Sequence, residues 1–188
     1  TKGTLSGSGT TYTIEVTPAG DGTVTVNVAA NTATDAAGNG NVIASQLSVT
    51  ADGTSPNVTL TSDATDPQSG AFTVTATFTE AVTGLTANEF DVTNGTKGTL
   101  SGSGTTYTIE VTPTMDGTVT VDVAAGVAQD AAGNVNIKAN QLSVTSDTTS
   151  PTVELTATAS TFSGLFTVSA EFSEPVTGFA LDDVTVAN

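Results

Sequence analysis

Apolar residues fall on every second position in a series of short stretches along this chain. Tyr12, Ile14 and Val16 alternate with Thr13 and Glu15, and Val24, Val26 and Val28 alternate with Thr25 and Asn27. A period of two belongs to a strand with one face buried and the other in water. The longest run is Phe72, Val74, Ala76 and Phe78, preceded by Val58 and Leu60 and followed by Phe90 and Val92. Tyr107, Ile109 and Val111, then Val119, Val121 and Val123, then Leu142 and Val144 carry the alternation onward. Helical spacing is absent apart from a single turn at 86–89, and SGSGT at 101–105 reads as a turn between two strands. The pattern predicts seven strands: A near residue 58, B over 72–79, C over 90–93, D over 98–101, E over 106–112, F over 117–123 and G over 139–145. Short strands separated by turn signals, with no helices to cover a sheet, predict an antiparallel β-sandwich.

The pattern also repeats. TKGTLSGSGTTYTIEVTP stands at 1–18 and again at 96–113, identical at all 18 positions, and the same offset of 95 keeps 41 of 53 positions identical through residues 53 and 148. Phe166, Val168, Ala170 and Phe172 echo the longest run at an offset of 94, so one residue is lost between Leu155 and Phe166, in a predicted loop. The repeat divides the chain into one complete unit at 54–148, strands D to G of the unit before it at 1–53, and strands A to C of the unit after it at 149–188. Asn188 aligns with Asn94 and Thr1 with Thr96. An isolated half-unit would expose unpaired sheet edges and half a core, so each is expected to be completed by neighbouring polypeptide.

Charge narrows the range of partners. Three lysines (Lys2, Lys97, Lys138), no arginine and no histidine stand against 19 acids, for a net charge of −16. That balance argues against nucleic acid and anionic membrane surfaces and favours cations. Hydrophobic residues make up 37% of the chain and charged ones 12%, so the acids do not form a disordered tail. The absence of cysteine removes disulfides and thiolate zinc sites. No apolar run approaches the roughly 18 residues of a membrane span, so no membrane insertion is expected, and any export signal or anchor is expected outside this stretch.

TSPNVTLTS, FTVTATFTEAVTGL, YTIEVTPTMDGTVTVDVAAGVAQDAAGN and QLSVTSDTTSP resemble the bacterial Ig-like repeats of very large exported surface proteins and adhesins. The resemblance covers the whole chain and is carried most specifically by FSEPVTGF at 172–179 together with YTIEVTP and DAAGN. It implies tandem immunoglobulin-like antiparallel β-sandwiches, and a segment of an extracellular fibre or adhesin at a bacterial cell surface, acting as a stalk or a self-associating filament. The expected partners are neighbouring repeats or copies of itself, with any host or surface ligand held by regions outside this stretch. Two other readings are a repeated glycan- or ice-binding module and an accessory region of a secreted enzyme. Neither tryptophan nor an outward tyrosine is available for sugar stacking, and the outward threonines (Thr73, Thr75, Thr77, Thr118, Thr120) are ordinary strand formers on a wet face. With no histidine or cysteine beside a serine, nucleophilic catalysis has no visible machinery.

Candidate chemistry rests on carboxylates. DAAGN, at 35–39 and 130–134, reads either as a tight turn in which aspartate bonds local backbone or as a cation ligand. Strand order brings the B–C and F–G loops to the pole where the chain enters, so Glu80 and Asp130 are expected to converge on the linker carrying Asp52. Asp147 and Glu174 are expected to meet likewise at the next junction, and Asp21 and Asp116 lie in the E–F loops of the opposite pole. All-oxygen donor sets of this kind suit calcium, here an expected ion at the domain junctions. A lysine–asparagine isopeptide crosslink is disfavoured, because Lys138 is replaced by Ile43 in the other copy.

Overall fold

The computed structural model describes residues 1–187; Asn188, aligned above with Asn94, lies outside the described residues. Among them there is no α-helix, hence none long and apolar enough to cross a membrane. The chain opens with two strand pairs, β1 (Lys2–Ser8) with β2 (Thr11–Val16) and β3 (Gly22–Val26) with β4 (Leu47–Ala51). Seven strands follow: β5 (Val58–Ser62), β6 (Phe72–Val82), β7 (Phe90–Thr93), β8 (Gly95–Lys97), β9 (Ser101–Pro113), β10 (Gly117–Val123) and β11 (Leu142–Ser146). The last pair is β12 (Val153–Ala157) with β13 (Val168–Phe172). Every pairing between strands is antiparallel.

The middle seven strands form two sheets, ordered β5-β6-β9-β8 and β11-β10-β7. In the letters used above these are A-B-E-D and G-F-C, the two layers of an immunoglobulin-like sandwich. Alternation then decides what lies between them. Val74, Ile109 and Val111 face inward from the first sheet, and Phe90, Val119 and Val121 from the second, all at or near zero exposure. The Phe78 and Tyr107 rings meet edge to face with centroids 5.9 Å apart, and the Tyr107 hydroxyl donates to the carbonyl of Val82 at 2.8 Å. A buried tyrosine needs such an acceptor for its hydroxyl.

Strand C and strand F lie where the pattern predicts, and the 3₁₀ turn Ala87–Glu89 replaces the single helical turn. Four boundaries differ, strand E among them: β9 begins at Ser101 rather than 106. Strand D is Gly95–Lys97 rather than 98–101, because β8 is set by its register with β9 (Gly95 opposite Pro113, Lys97 opposite Val111) and not by any alternation of its own. Strand G begins at Leu142 rather than 139; Ala139 is buried and its amide bonds the Val123 carbonyl, but the ladder with β10 starts only at Leu142. Strand B runs on to Val82, so Glu80 lies inside a strand instead of a loop. Between Thr77 and Val82 the register against β9 slips, five steps along β6 matching two along β9. Such a bulge re-aims side chains at the end of a strand. SGSGT, expected as a turn between two strands, lies inside β9; its Gly102 and Gly104 take φ of 101° and 67°, and a Cβ on Gly102 would lie 2.3 Å from the Thr106 carbonyl oxygen, so the backbone there requires glycine.

Either side of this sandwich, identical sequence meets different surroundings. β1 to β4 repeat strands D to G, and β12 and β13 repeat A and B, yet Tyr12 is 59% exposed where Tyr107 is 7%, and Ile14 is 38% exposed where Ile109 is 1%. Ile109→Ala is expected to cost about 2–5 kcal/mol of unfolding free energy, the range for an aliphatic cavity in a packed core. Ile14→Ala, in the identical 18-residue segment, is expected to change the unfolding of the 54–148 unit by less than about 0.5 kcal/mol. Urea titration of the two variants in dilute solution measures both.

Candidate metal centre at the repeat junction

The linker after β4 is held from both sides. Asp21, in the turn before β3, accepts from the Gly53 amide at 2.6 Å and from the Thr54 hydroxyl, while Asn134, on the far side, donates from its side chain to the Asp52 carbonyl at 3.1 Å. The Asp52 carboxylate accepts from the Thr54 amide at 3.1 Å, closing a local Asx-type turn. At the next junction Asp116 repeats the first clasp, accepting from the Thr148 amide at 2.6 Å and from the Thr148 and Thr149 hydroxyls. These hydrogen bonds hold both aspartates below the ordinary carboxylate range, through the Thr54 side chain and Gly53 amide for Asp21 and through Thr149 and Thr148 for Asp116.

On the entry pole of the 54–148 unit, one carboxylate oxygen each of Asp52, Glu80 and Asp130 lie within 4.8 Å of one another. Backbone contacts place them. The Thr79 and Asn57 main chains bond, and the Thr79 hydroxyl also accepts from the Asn57 amide, which fixes the residue before Glu80 against the start of β5. Thr83 and Gln129 exchange two amide–carbonyl bonds, at 2.8 and 3.0 Å, and so clip the end of β6 to the residue before Asp130. Asp130 itself is buried: one carboxylate oxygen accepts from the Ala132 and Asn134 amides, both at 2.8 Å, and the other from the Asn134 side chain at 2.9 Å. DAAGN is thus an aspartate-stapled turn, with Gly133 at φ 93°, and Asp35 repeats it.

The electrostatics of the three acids differ. Burial pushes the Glu80 carboxyl up, and the charges of Asp52, Asp130 and Asp21 add to the rise. For Asp130 burial also pushes upward, but its hydrogen bonds from Asn134, Gly133 and Ala132 outweigh that and leave it below the ordinary value. A hard divalent cation fits this donor set. Calcium takes oxygens at about 2.3–2.6 Å, so oxygens up to about 5 Å apart fall on opposite sides of one ion. The Asp130 oxygen that accepts only from the Asn134 side chain keeps a second lone pair for such an ion.

At the second junction Asp147 and Glu174 line one hollow of ≈ 780 Å³, with Asp66 and Asp116 on its walls. Among the described residues they do not form a three-carboxylate group like that of Asp52, Glu80 and Asp130. Lys138 is exposed and sits 3.5 Å from Asp122, a surface ion pair. Sequence reading overlooked Asn136, which is fully buried and uses every polar atom: its carbonyl oxygen accepts from the Val127 and Ala128 amides, and its amide donates to the Ala124 and Ile137 carbonyls. Asn41 makes the same four bonds in the first copy. The signal was an asparagine kept two places after DAAGN in both repeats, amid substitutions on either side. It braces the loop that presents Asp130.

A family model described as "Bacterial Ig-like domain" matches residues 52–146, half of the chain. No curated protein and no solved structure matches it.

Two outcomes follow from the charges. A depressed folded-state pKa means that stabilisation is present above the unfolded value, near about 3.9 for aspartate, and is lost as pH falls through the folded value. The Thr148 amide is therefore expected to stay protected in hydrogen exchange down to and below that pH, and to lose protection at neutral pH in Asp116→Asn. Glu80 shifts the other way, so its ionised form costs stability above its folded pKa. Glu80→Gln is expected to raise the melting temperature of the metal-free protein at neutral pH, and to leave it unchanged in acid where Glu80 is already protonated.

Proposed function

We propose, from the premise that this chain belongs to the bacterial Ig-like domain family, that it is a repeated spacer of an extracellular bacterial fibre or adhesin. The family points to a surface or extracellular module, typically structural rather than catalytic. The supporting observation is the junction. The linker of six residues between β4 and β5, 52–57, is clasped over Asp52 to Thr54 by Asp21 of one unit and by Asn134 of the next. A chain that passes between sandwiches through so short and so tethered a connection suits the transmission of length and direction. Strands of 7 to 13 residues, as in β10 and β9, rise about 3.3 Å each, so one repeat extends a fibre by roughly 30–40 Å.

Calcium is the second part of the proposal. The ion would be held by Asp52 from the linker and by Glu80 and Asp130 from the following unit, with Asp147 and Glu174 in the corresponding places one repeat on. When bound, it supplies the positive charge that the three acids lack, because no lysine or arginine pairs with them among the described residues. Without it, the Asn134–Asp52 hydrogen bond holds the linker to the unit's pole against the repulsion of like charges; with it, that repulsion is removed and linker and unit form one body. Glycan binding has less support, since the Tyr107 ring is spent in the core.

Small-angle scattering and calorimetry on a chain of three consecutive repeats test this reading. Millimolar calcium is expected to lengthen and narrow the distribution of intramolecular distances, with heat of binding at a Kd of about 10⁻⁴ to 10⁻³ M. Glu80→Gln is expected to abolish both at the junction it serves. An unchanged maximum dimension with no heat of binding would leave these acids as solvated surface groups.

A further inference from the structure

Two asparagines of the 54–148 unit stand two places before a threonine: Asn57 in Asn57-Val58-Thr59 and Asn94 in Asn94-Gly95-Thr96. Asparagine, any residue but proline, then serine or threonine is the acceptor signature for N-linked sugar. In a chain this rich in threonine the signature alone carries little, so the surroundings of each side chain decide. Asn94 is spent. It takes φ 56°, its Nδ2 donates to the Met115 carbonyl at 3.0 Å, and its Oδ1 accepts from the Thr114 hydroxyl at 3.0 Å. The nitrogen that would carry a sugar thus ties the turn before β8 to the turn before β10, and the residue is half-buried.

Asn57 is the opposite case. It is exposed between buried Pro56 and Val58, where the linker ends and β5 begins. Its main chain is engaged with Thr79: its amide donates to the Thr79 hydroxyl and its carbonyl accepts from the Thr79 amide, both at 3.0 Å. Its carboxamide has no hydrogen-bond partner among the described residues. One repeat on, Thr152 stands in its place and makes the same two bonds with Ser173, both at 2.9 Å. The backbone clip therefore does not need asparagine, and the clip leaves the Asn57 side chain free. The threonine is placed as well. Side chains two apart in extended backbone share a face, so Asn57 and Thr59 lie on the wet side, opposite buried Val58 and Leu60. β5 is the outer strand of its sheet, open on that face and along one edge.

We propose that Asn57 is an N-glycosylation site, its Nδ2 carrying sugar delivered by a glycosyltransferase from a donor whose anomeric carbon is held on a phosphate. The bond from Nδ2 to that carbon forms as the bond from the carbon to the phosphate oxygen breaks. The phosphate leaves with the bonding electrons, and one amide proton passes to a base of the transferase; nothing is oxidised or reduced. The sugar would stand over the open edge of β5, and an edge so covered is closed to pairing with another chain. The proposal goes beyond the spacer reading and depends neither on it nor on calcium.

Mass spectrometry of the protein taken from the cell that makes it tests this. Cleavage before aspartate places the two signatures on separate peptides, 52–62 and 91–115. The first is expected to carry the mass of sugar and the second none. A ladder of single-sugar additions marks a nucleotide-linked donor, and one preassembled chain marks a lipid-linked donor. In the same cell, Asn57→Gln and Thr59→Val are expected to abolish the added mass, and Thr59→Ser to keep it. A bare 52–62 peptide, sugar on 91–115, or an added mass that survives Asn57→Gln and so sits on a hydroxyl overturns the proposal. Melting of chain made without any transferase separates the two asparagines independently. Asn57→Thr, matching the residue at 152, is expected to leave the melting temperature unchanged and Asn94→Thr to lower it; equal drops would overturn the contrast on which the site rests.

Discussion

Each sheet of this protein has one apolar face, and neither can leave that face in water. Everything else follows from how the two faces are joined. In the 54–148 unit, strands A, B, D and E close over C, F and G, and Val74, Ile109, Val119 and Val121 disappear from solvent. Hairpins alone do not achieve this: β1 and β2 keep their ladder and turn, and still leave Tyr12 and Leu5 more than half exposed. Backbone pairing is local to two strands, whereas burial needs strands from both ends of a repeat. Strand A enters first and strand G leaves last, so a unit is finished only when about 95 residues have been placed, and the contacts that stabilise it are mostly long-range.

That separation explains which features the sequence revealed. Strands with three or more inward residues, such as β6, β9 and β10, declare themselves by alternation, because every second side chain must be apolar to reach the core. β8 has no such signature; three residues long, it exists because β9 offers it an unpaired edge, and a pattern read along one strand cannot see its partner. The start of β11 slipped for the same reason: Ala139 packs inward like a strand residue while its main chain has not yet joined the ladder. Topology did better than boundaries. Assigning seven strands to two layers was enough to bring Asp52, Glu80 and Asp130 to one pole, although the bulge that carries Glu80 lies inside a strand and was hidden. Asn136 was hidden too, because an asparagine that spends both its donors and its acceptor on loop backbone looks, in sequence, like any polar loop residue.

The junction joins two kinds of polar chemistry on one short linker. Asp21 and Asp116 act as hydrogen-bond acceptors from neighbouring amides and hydroxyls, and are held below the ordinary carboxylate range by those bonds. Such a clasp needs no counterion; it is complete in neutral water and fails only in strong acid. Glu80 is the opposite case, raised by burial and by the charges of Asp52, Asp130 and Asp21, so it lacks what the clasp supplies. A proton relieves it as pH falls, and a divalent cation would relieve it at neutral pH, since either removes the same repulsion. At Asp52 to Thr54, Asp21 lies on the side of the preceding unit and Glu80 with Asp130 on that of the following one. Asp21 therefore fixes where the linker leaves the preceding unit, while on the other side the Asn134 side chain holds the Asp52 carbonyl and the raised Glu80 carboxyl leaves the three acids there short of positive charge.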